Sequence, residues 1–246
     1  MTLTLAQSLM PQVSWEKPPQ DYVLPDDPVD NILQPLLAAA LTESLDLASQ
    51  LNSHCLVAAN MGICAKVNQK MTIKAPDWFY VPHVYPLPEG EIRRSYTPQL
   101  EGEIPLIVME FLSETDGGEY SSRPTYPYGK LWFYEQIIKV PYYIIFEPSL
   151  PILEVRYRQA QGYELLTPNT EGQYWIEPLG LNLGIWQGKR QNITTSWLRW
   201  WDASGDLLLW GVEKIEQKQQ QIEKEKQKNQ RLLQRLQDLG INLEDE

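Results

Sequence analysis

The stretch Pro105-Leu-Ile-Val-Met-Glu-Phe-Leu112 decides the fold, because it is apolar on both faces of an extended chain. Side chains alternate along a strand, which gives two sets, Val108, Glu110 and Leu112 on one face and Ile107, Met109 and Phe111 on the other. Such a strand is covered on both sides and belongs in the middle of a sheet. Glu110 therefore needs a partner, since a buried carboxylate is costly unless it is paired, protonated or bound to a cation.

Other apolar runs, most of them bounded by Pro, Gly or Asn, predict further short strands. With the central run they cover residues 55–59, 71–74, 78–81, 106–112, 142–147, 152–157, 163–166 and 173–177. Helical spacing of apolar residues predicts helices over 31–50 and 129–139. The connection from 82 to 102 is long enough to be either functional or mobile. The predicted body is α+β, with strands between and after two helices.

The two ends of the chain differ from this body in composition. Residues 1–28 are rich in Pro and polar residues and are expected to be extended or poorly ordered. The body covers residues 29–210, and residues 211–246 form a charged helical tail. Four tail residues stand seven apart, Ile215, Ile222, Asn229 and Leu236, and a second heptad position holds Lys218, Glu225, Leu232 and Leu239. The second half of the tail therefore has the apolar heptad positions of a coiled coil, whereas charged residues interrupt them in the first half. Two interpretations follow: a homodimer formed through this helix, or a solvated helix.

Asp77, Glu110 and Lys130 are the candidate catalytic residues. Asp77 stands at the start of a predicted strand, and Lys130 lies at the edge of an apolar helix face that it shares with Phe133, Tyr134 and Ile137. Two acids and a lysine could hold a divalent metal and a water, as in phosphodiester-cleaving nucleases. Each residue also has an ordinary interpretation: a turn aspartate, a carboxylate that accepts from a tyrosine hydroxyl, and a lysine that extends to water.

Composition argues partly against a nuclease. The net charge is −11, whereas duplex DNA is bound chiefly through lysines and arginines. The basic doublets Arg93-Arg94 and Lys189-Arg190 are more typical of solvated loops than of DNA contacts. With only two cysteines, Cys55 and Cys64, a disulfide scaffold is not indicated and a reduced cytoplasm is the expected location. No apolar run reaches the roughly 18 residues of a membrane span, and no secretory signal is visible, so no membrane partner is expected.

Residues 30–209 resemble the Uma-type family, described as putative restriction endonucleases, of the PD-(D/E)XK nuclease superfamily. The matching pieces are Pro28-Val-Asp-Asn-Ile32, Ala75-Pro-Asp77, Val108-Met-Glu-Phe-Leu-Ser113, Lys130 with Tyr134, Val140-Pro-Tyr-Tyr143, Phe146-Glu-Pro148 and Leu179-Gly-Leu-Asn-Leu-Gly184. The resemblance implies a restriction-endonuclease-like mixed sheet flanked by helices. It also implies that Asp77, Glu110 and the carbonyl of Phe111 hold Mg²⁺ or Mn²⁺, and that Lys130 orients or activates water.

The chain departs from the superfamily pattern in two places. Leu112 stands where the superfamily lysine usually follows the acid, so Lys130 must serve from the helix. The segment 123–129 before that lysine contains no acid. Two hypotheses follow: a metal-dependent endonuclease acting on nucleic acid, with DNA the expected substrate, or a non-catalytic assembly module on a degenerate nuclease fold that acts through its tail.

Overall fold

The computed structural model describes residues 11–19, 22, 31–113 and 118–239. Within them the helical segments are α1 (Leu33–Leu47), α2 (Lys130–Trp132), which continues as a π-helix over Phe133–Ile138, a 3₁₀ turn at Glu177–Leu179, and α3 (Gly211–Asp238). The described strands are β1 (Val13–Ser14), β2 (Leu56–Ala58), β3 (Gly62–Val67), β4 (Lys70–Lys74), β5 (Trp78–Val81), β6 (Ser95–Tyr96), β7 (Ile107–Phe111), β8 (Tyr142–Glu147), β9 (Ile152–Gln159), β10 (Gly162–Leu165), β11 (Tyr174–Ile176), β12 (Leu181–Arg190) and β13 (Ile193–Trp201).

A mixed sheet of six strands, in the order β10-β9-β8-β7-β5-β2, forms the centre of the body. Strands β7 and β8 are parallel, and the chain crosses between them through α2, whereas the other neighbours are antiparallel. Every residue of β7 is buried. The predicted central strand is thus confirmed, and the α+β, restriction-endonuclease-like fold with a mixed sheet and a C-terminal helix is present.

Two apolar cores cover the two faces of this sheet. The first, which contains Leu41, Met109 and Trp200, packs α1 and the three-stranded sheet β11-β12-β13 against one face. The second, which contains Val108 and Tyr134, packs the π-helical segment and the small sheet around β3 against the other. The alternation predicted for β7 is therefore observed, with Ile107, Met109 and Phe111 in the first core and Val108 in the second.

Two hairpins, β3–β4 and β12–β13, were not predicted from the sequence. Each has a two-residue turn, Asn68-Gln69 and Gln191-Asn192, and all four residues have positive φ. Such turns usually carry glycine, and the pair Asn-Gly is the strongest sequence signal for them. Because neither turn contains glycine, β3, β12 and β13 were not predicted. The predicted second helix was also wrong in detail, since most of its length is π-helical.

The long connection 82–106 is ordered around a buried carboxylate. Glu101 accepts from the backbone N–H of Thr97 at 2.7 Å and from Arg93 Nη1 at 2.8 Å. Lys17 Nζ lies 3.1 Å from the same side chain. Arg93 was expected in a solvated loop, but its side chain is only 10% exposed because it pairs with Glu101. Arg93 of this basic doublet thus serves the architecture of the body.

Over 211–238 the predicted tail helix is confirmed as α3, and its first turn is attached to the body; residues 240–246 of the predicted tail lie outside the described residues. Glu213 forms a two-pronged ion pair with the fully buried Arg199, at 2.7 and 3.0 Å. The guanidinium of Arg199 stacks 3.5 Å from the ring centre of Trp210, and Lys214 Nζ donates to the carbonyl of Leu47 at 2.6 Å. Beyond this turn the helix is exposed.

Two further sequence predictions concern the chain ends and membranes. Of the segment 1–28 predicted to be extended or poorly ordered, only residues 11–19 and 22 are described, and they contain β1. The rest of that prediction lies outside the described residues. Within the described ranges no helix combines the length and apolar character required to cross a bilayer.

Candidate functional site

Glu110 is the buried acid around which the site is built. It lies on β7, its side chain is 1% exposed, and it faces the same side of the sheet as Val108. Lys130 Nζ lies 3.2 Å from Glu110 Oε2. The predicted partnership between these two residues is therefore present in the structure.

Lys130 contacts a second carboxylate that sequence reasoning missed. Its Nζ lies 3.0 Å from Glu119 Oε1, so the ammonium group bridges two acids that are both almost fully buried. The segment 123–129 directly before Lys130 contains no acid, whereas Glu119 stands eleven residues before the lysine. The buried pairing could not be read from that spacing, because residues 118–129 follow an irregular path.

The segment that carries Glu119 is held against the start of α2 by close backbone packing. A Cβ atom at Gly129 would lie 2.0 Å from the carbonyl oxygen of Ser121, so only glycine allows this approach. The hydroxyl of the buried Tyr143 donates to the carbonyl of Glu119 at 2.8 Å. These contacts fix the Glu119 backbone next to Lys130.

Asp77 directly precedes β5 and lies beside the end of the neighbouring strand β7, next to Glu110. Its Oδ2 accepts the backbone N–H of Phe111 at 2.5 Å. The antiparallel register Trp78↔Met109, extended by one residue, sets Asp77 opposite Glu110. The carbonyl of Phe111 accepts from Gln34 Nε2 of α1 at 2.9 Å. Asp77, Glu110 and Phe111 thus share one end of two adjacent strands.

The charges of the site shift one another's pKa values. Burial raises the pKa of Glu110 to about 8; Lys130 lowers it, and Asp77 and Glu119 raise it. Burial lowers the pKa of Lys130, but the carboxylates Glu110 and Glu119 outweigh burial and hold that pKa above its ordinary value. Lys130 is therefore a permanent cation at neutral pH. The charge of Asp77 acts on Glu110, which is consistent with their positions on neighbouring strands.

The oxygen atoms present fit a small divalent cation. Glu110 Oε1 is buried and makes no hydrogen bond of standard geometry to the described residues. The buried hydroxyl of Tyr134 lies next to this carboxylate, and burial together with Glu110 raises the pKa of Tyr134. Carboxylate and carbonyl oxygens are the ligands that Mg²⁺ prefers, and it commonly keeps several waters. Within residues 31–113 and 118–239 no group of three or more His, Cys, Asp or Glu side chains has a metal-binding arrangement. A cation here would thus be bound by two carboxylates, the Phe111 carbonyl and water.

A surface groove of about 580 Å³ reaches this end of the sheet. It runs between α1 and β2, and its lining includes both Gln34 and Asp77. Glu43 and Asp46 of α1 also line it. The groove gives Asp77 access from the surface, but its acidic lining does not favour phosphate along its whole length.

Comparison with known proteins assigns a family. The family model Uma2, described as "Putative restriction endonuclease", matches residues 25–195, which is more than half of the chain. A search of curated proteins found no match. The matched region contains the whole candidate site, from Gln34 to Lys130. The chain therefore belongs to the Uma2 family of putative restriction endonucleases.

Proposed function

We propose that this protein is a metal-dependent endonuclease that hydrolyses phosphodiester bonds of nucleic acid, with DNA as the expected substrate. The observation that carries the proposal is the contact of 3.2 Å between the partly buried Lys130 and the buried Glu110, at the strand end where Asp77 contacts Phe111. A buried carboxylate with an oxygen that makes no hydrogen bond of standard geometry is costly for a purely structural site. The family description supports nuclease chemistry on nucleic acid.

Asp77, Glu110 and the carbonyl of Phe111 would hold Mg²⁺ or Mn²⁺. The chemistry that such a cation supplies is polarisation of a phosphate oxygen and a lowered pKa for bound water. Glu110, with a pKa of about 8, is largely protonated at pH 7 in the metal-free protein. Cation binding therefore requires that Glu110 lose its proton, which makes the affinity for metal rise with pH.

Lys130 would act as a fixed positive charge. Its raised pKa excludes a role as general base near neutral pH, because the amine stays protonated. The ammonium group can donate hydrogen bonds to an attacking water and to a phosphate oxygen, and it stabilises negative charge as that charge develops. Glu119 would be a positioning residue, since it contacts Lys130 at 3.0 Å.

A cleavage assay tests the proposal. The full chain is incubated with linear and supercoiled duplex DNA, single-stranded DNA and RNA, in Mg²⁺, in Mn²⁺ and in EDTA. We expect metal-dependent cleavage that is lost, by roughly 100-fold or more, in Asp77→Asn, Glu110→Gln and Lys130→Gln. Lys189→Gln, at an exposed lysine of β12, is the matched control and should cleave like the wild type.

Two results would overturn the proposal. One is the absence of metal-dependent cleavage of every nucleic acid by the folded wild-type protein. The other is cleavage that survives unchanged in all three site variants, which would locate the activity elsewhere or in a contaminant. The first result would favour the non-catalytic assembly module instead.

A further inference from the structure

The exposed part of α3 carries four basic residues on one face, which we call the basic stripe. They are Lys224, Lys228, Arg231 and Arg235, spaced by four, three and four residues. This spacing puts all four side chains on the same side of an α-helix. Each of them is exposed, and none forms an ion pair or hydrogen bond with another residue in the described part of the chain. The stripe spans about 16 Å along the helix axis.

Charge on α3 is segregated around this stripe. Between residues 224 and 235 the chain has five basic residues and one acidic residue, whereas the whole chain has a net charge of −11. The acids Glu216, Glu223 and Glu225 lie at other angles around the helix. The positions that flank the stripe on its own face are glutamines: Gln217, Gln220, Gln221 and Gln227. The result is a polar, cationic face that is free of acids from Gln217 to Arg235 on a strongly acidic protein; Asp238 is the acid that follows on the same face, one turn beyond Arg235.

The arginines of the two basic doublets in the body already have structural partners. Arg93 pairs with the buried Glu101. Arg190 pairs with Glu43 and stacks over Trp210. These partners hold both guanidinium groups against the body. The stripe on α3 differs from these two arginines, because its cations are exposed and have no such structural partners in the described part of the chain.

From this charge pattern we infer that the basic stripe binds the phosphate backbone of nucleic acid, outside the catalytic site. The class of partner rests on the proposed function. Cationic side chains in a row release counterions from a polyanion, and this contact reads no sequence. A membrane surface fits less well, because residues 211–238 contain no Trp, Tyr or Phe, the aromatic residues typical of interfacial helices.

Contacts between the first turn of α3 and the body fix the point from which the helix that carries the stripe extends. The Arg199–Glu213 ion pair and the contact of Lys214 with Leu47 hold the first turn. Helix α1, which ends at Leu47, also carries Gln34, the partner of the Phe111 carbonyl. The stripe begins about 20 Å along α3 from its start. It would thus engage the substrate at a distance from the scissile bond and add affinity to an acidic catalytic body.

Salt dependence of binding tests this inference with matched variants. Binding of a fluorescently labelled DNA duplex to the full chain is measured by anisotropy in EDTA, between 50 and 200 mM salt. The test variant is Arg231→Gln with Arg235→Gln, and the control is Lys218→Gln with Lys226→Gln, which removes the same charge away from the stripe. Glutamine is a good helix former, so helix content, checked by circular dichroism, should be unchanged.

We expect the slope of log affinity against log salt to fall by about two in the test variant and by much less in the control. Between 50 and 200 mM salt, the four stripe residues together should account for roughly a 100-fold loss of affinity in the wild type. Replacement of all four by Gln should make binding less dependent on salt by that factor. Equal slopes for the test and control variants would show that the basic stripe does not bind nucleic acid. The proposal that the body cleaves nucleic acid would not be affected by that result. If the wild type binds no nucleic acid and binds anionic lipid vesicles instead, the inference and its partner class are both wrong.

Discussion

Lys130 Nζ and Glu110 Oε2 are 3.2 Å apart, although the residues belong to different elements and stand twenty apart in sequence. Glu110 comes from the central strand, and Lys130 comes from the first turn of the helix that crosses to the next parallel strand. Leu112 stands where nucleases of this superfamily usually carry the lysine. The helix in the crossover between the two parallel strands thus places the ammonium group of Lys130 next to Glu110.

Metal binding should stabilise the folded protein through Glu110. Mg²⁺ or Mn²⁺ should raise the melting temperature, because a ligand of the native state shifts the unfolding equilibrium. The rise should be larger at pH 8.5 than at pH 6.5, since the pKa of Glu110 is about 8. Differential scanning fluorimetry of the wild type and of Glu110→Gln measures this. A metal response of equal size in both proteins would locate the metal elsewhere.

The stability of the metal-free protein should fall with rising pH because of Glu110. The pKa of this carboxyl is raised from 4.5 to about 8 in the folded state, so the folded protein binds more protons than the unfolded chain in this window. The free energy of unfolding should therefore decrease by at most about 1.4 kcal/mol per pH unit from this group. Urea denaturation at pH 5.5, 6.5, 7.5 and 8.5 measures the slope. Glu110→Gln should flatten it; parallel curves would contradict the assignment.

Glu119→Gln should reduce the rate of cleavage by roughly tenfold with little change in KM, because Lys130 loses one of the two carboxylates that position it. Glu119 also raises the pKa of Glu110, so Glu119→Gln should lower that pKa and move the acidic limb of the rate profile to lower pH. Glu119→Asp should restore part of both effects. An unchanged pH profile in Glu119→Gln would reduce Glu119 to a structural role.

Glu213→Ala should destabilise the body by about 2–3 kcal/mol, since it leaves the buried guanidinium of Arg199 without its carboxylate. The partial exposure of Glu213 keeps this figure below that for a fully buried pair. Chemical denaturation provides the measurement. Glu216→Ala, at an exposed site in the same helix, is the control and should change stability by less than about 0.5 kcal/mol. Similar losses in both variants would mean that Arg199 needs no partner.

Removal of the exposed tail tests self-association. Most apolar side chains of the predicted seam are about half exposed or more, with Ile222 at 52%, Leu232 at 48% and Leu239 at 74%, whereas Leu236 is partly buried. A second copy would cover them, and Asn229 could set the register. Truncation after Lys218 keeps Glu213 and should leave a folded monomer, while the full chain should show a higher mass by light scattering. If both proteins are monomers at tens of micromolar, the typical range for weak association, the homodimer is excluded.

The sequence was sufficient to place β7, because side chains alternate along a strand and both faces of this one are apolar apart from Glu110. The three-four spacing of apolar residues predicted α1, and the composition of the tail, which contains good helix formers and no Pro or Gly over 213–238, predicted α3. These elements follow from local pattern, which depends on neighbours in the chain. The hairpins β3–β4 and β12–β13 escaped because turns such as Gln191-Asn192 adopt positive φ without glycine.

The candidate site, like the fold, was in part predictable from the sequence and in part decided by the tertiary structure. The sequence by itself determined that Glu110 lies in an apolar run and must be protonated, paired or bound to a cation, since burial of an uncompensated carboxylate is costly. Only the tertiary structure decided that Lys130 supplies this cation, that Glu119 shares it, and that Asp77 contacts the backbone of Phe111. Burial is encoded in the hydrophobicity of adjacent residues, whereas these pairings depend on strand register and on the close backbone packing of Gly129 on Ser121, which no local pattern specifies.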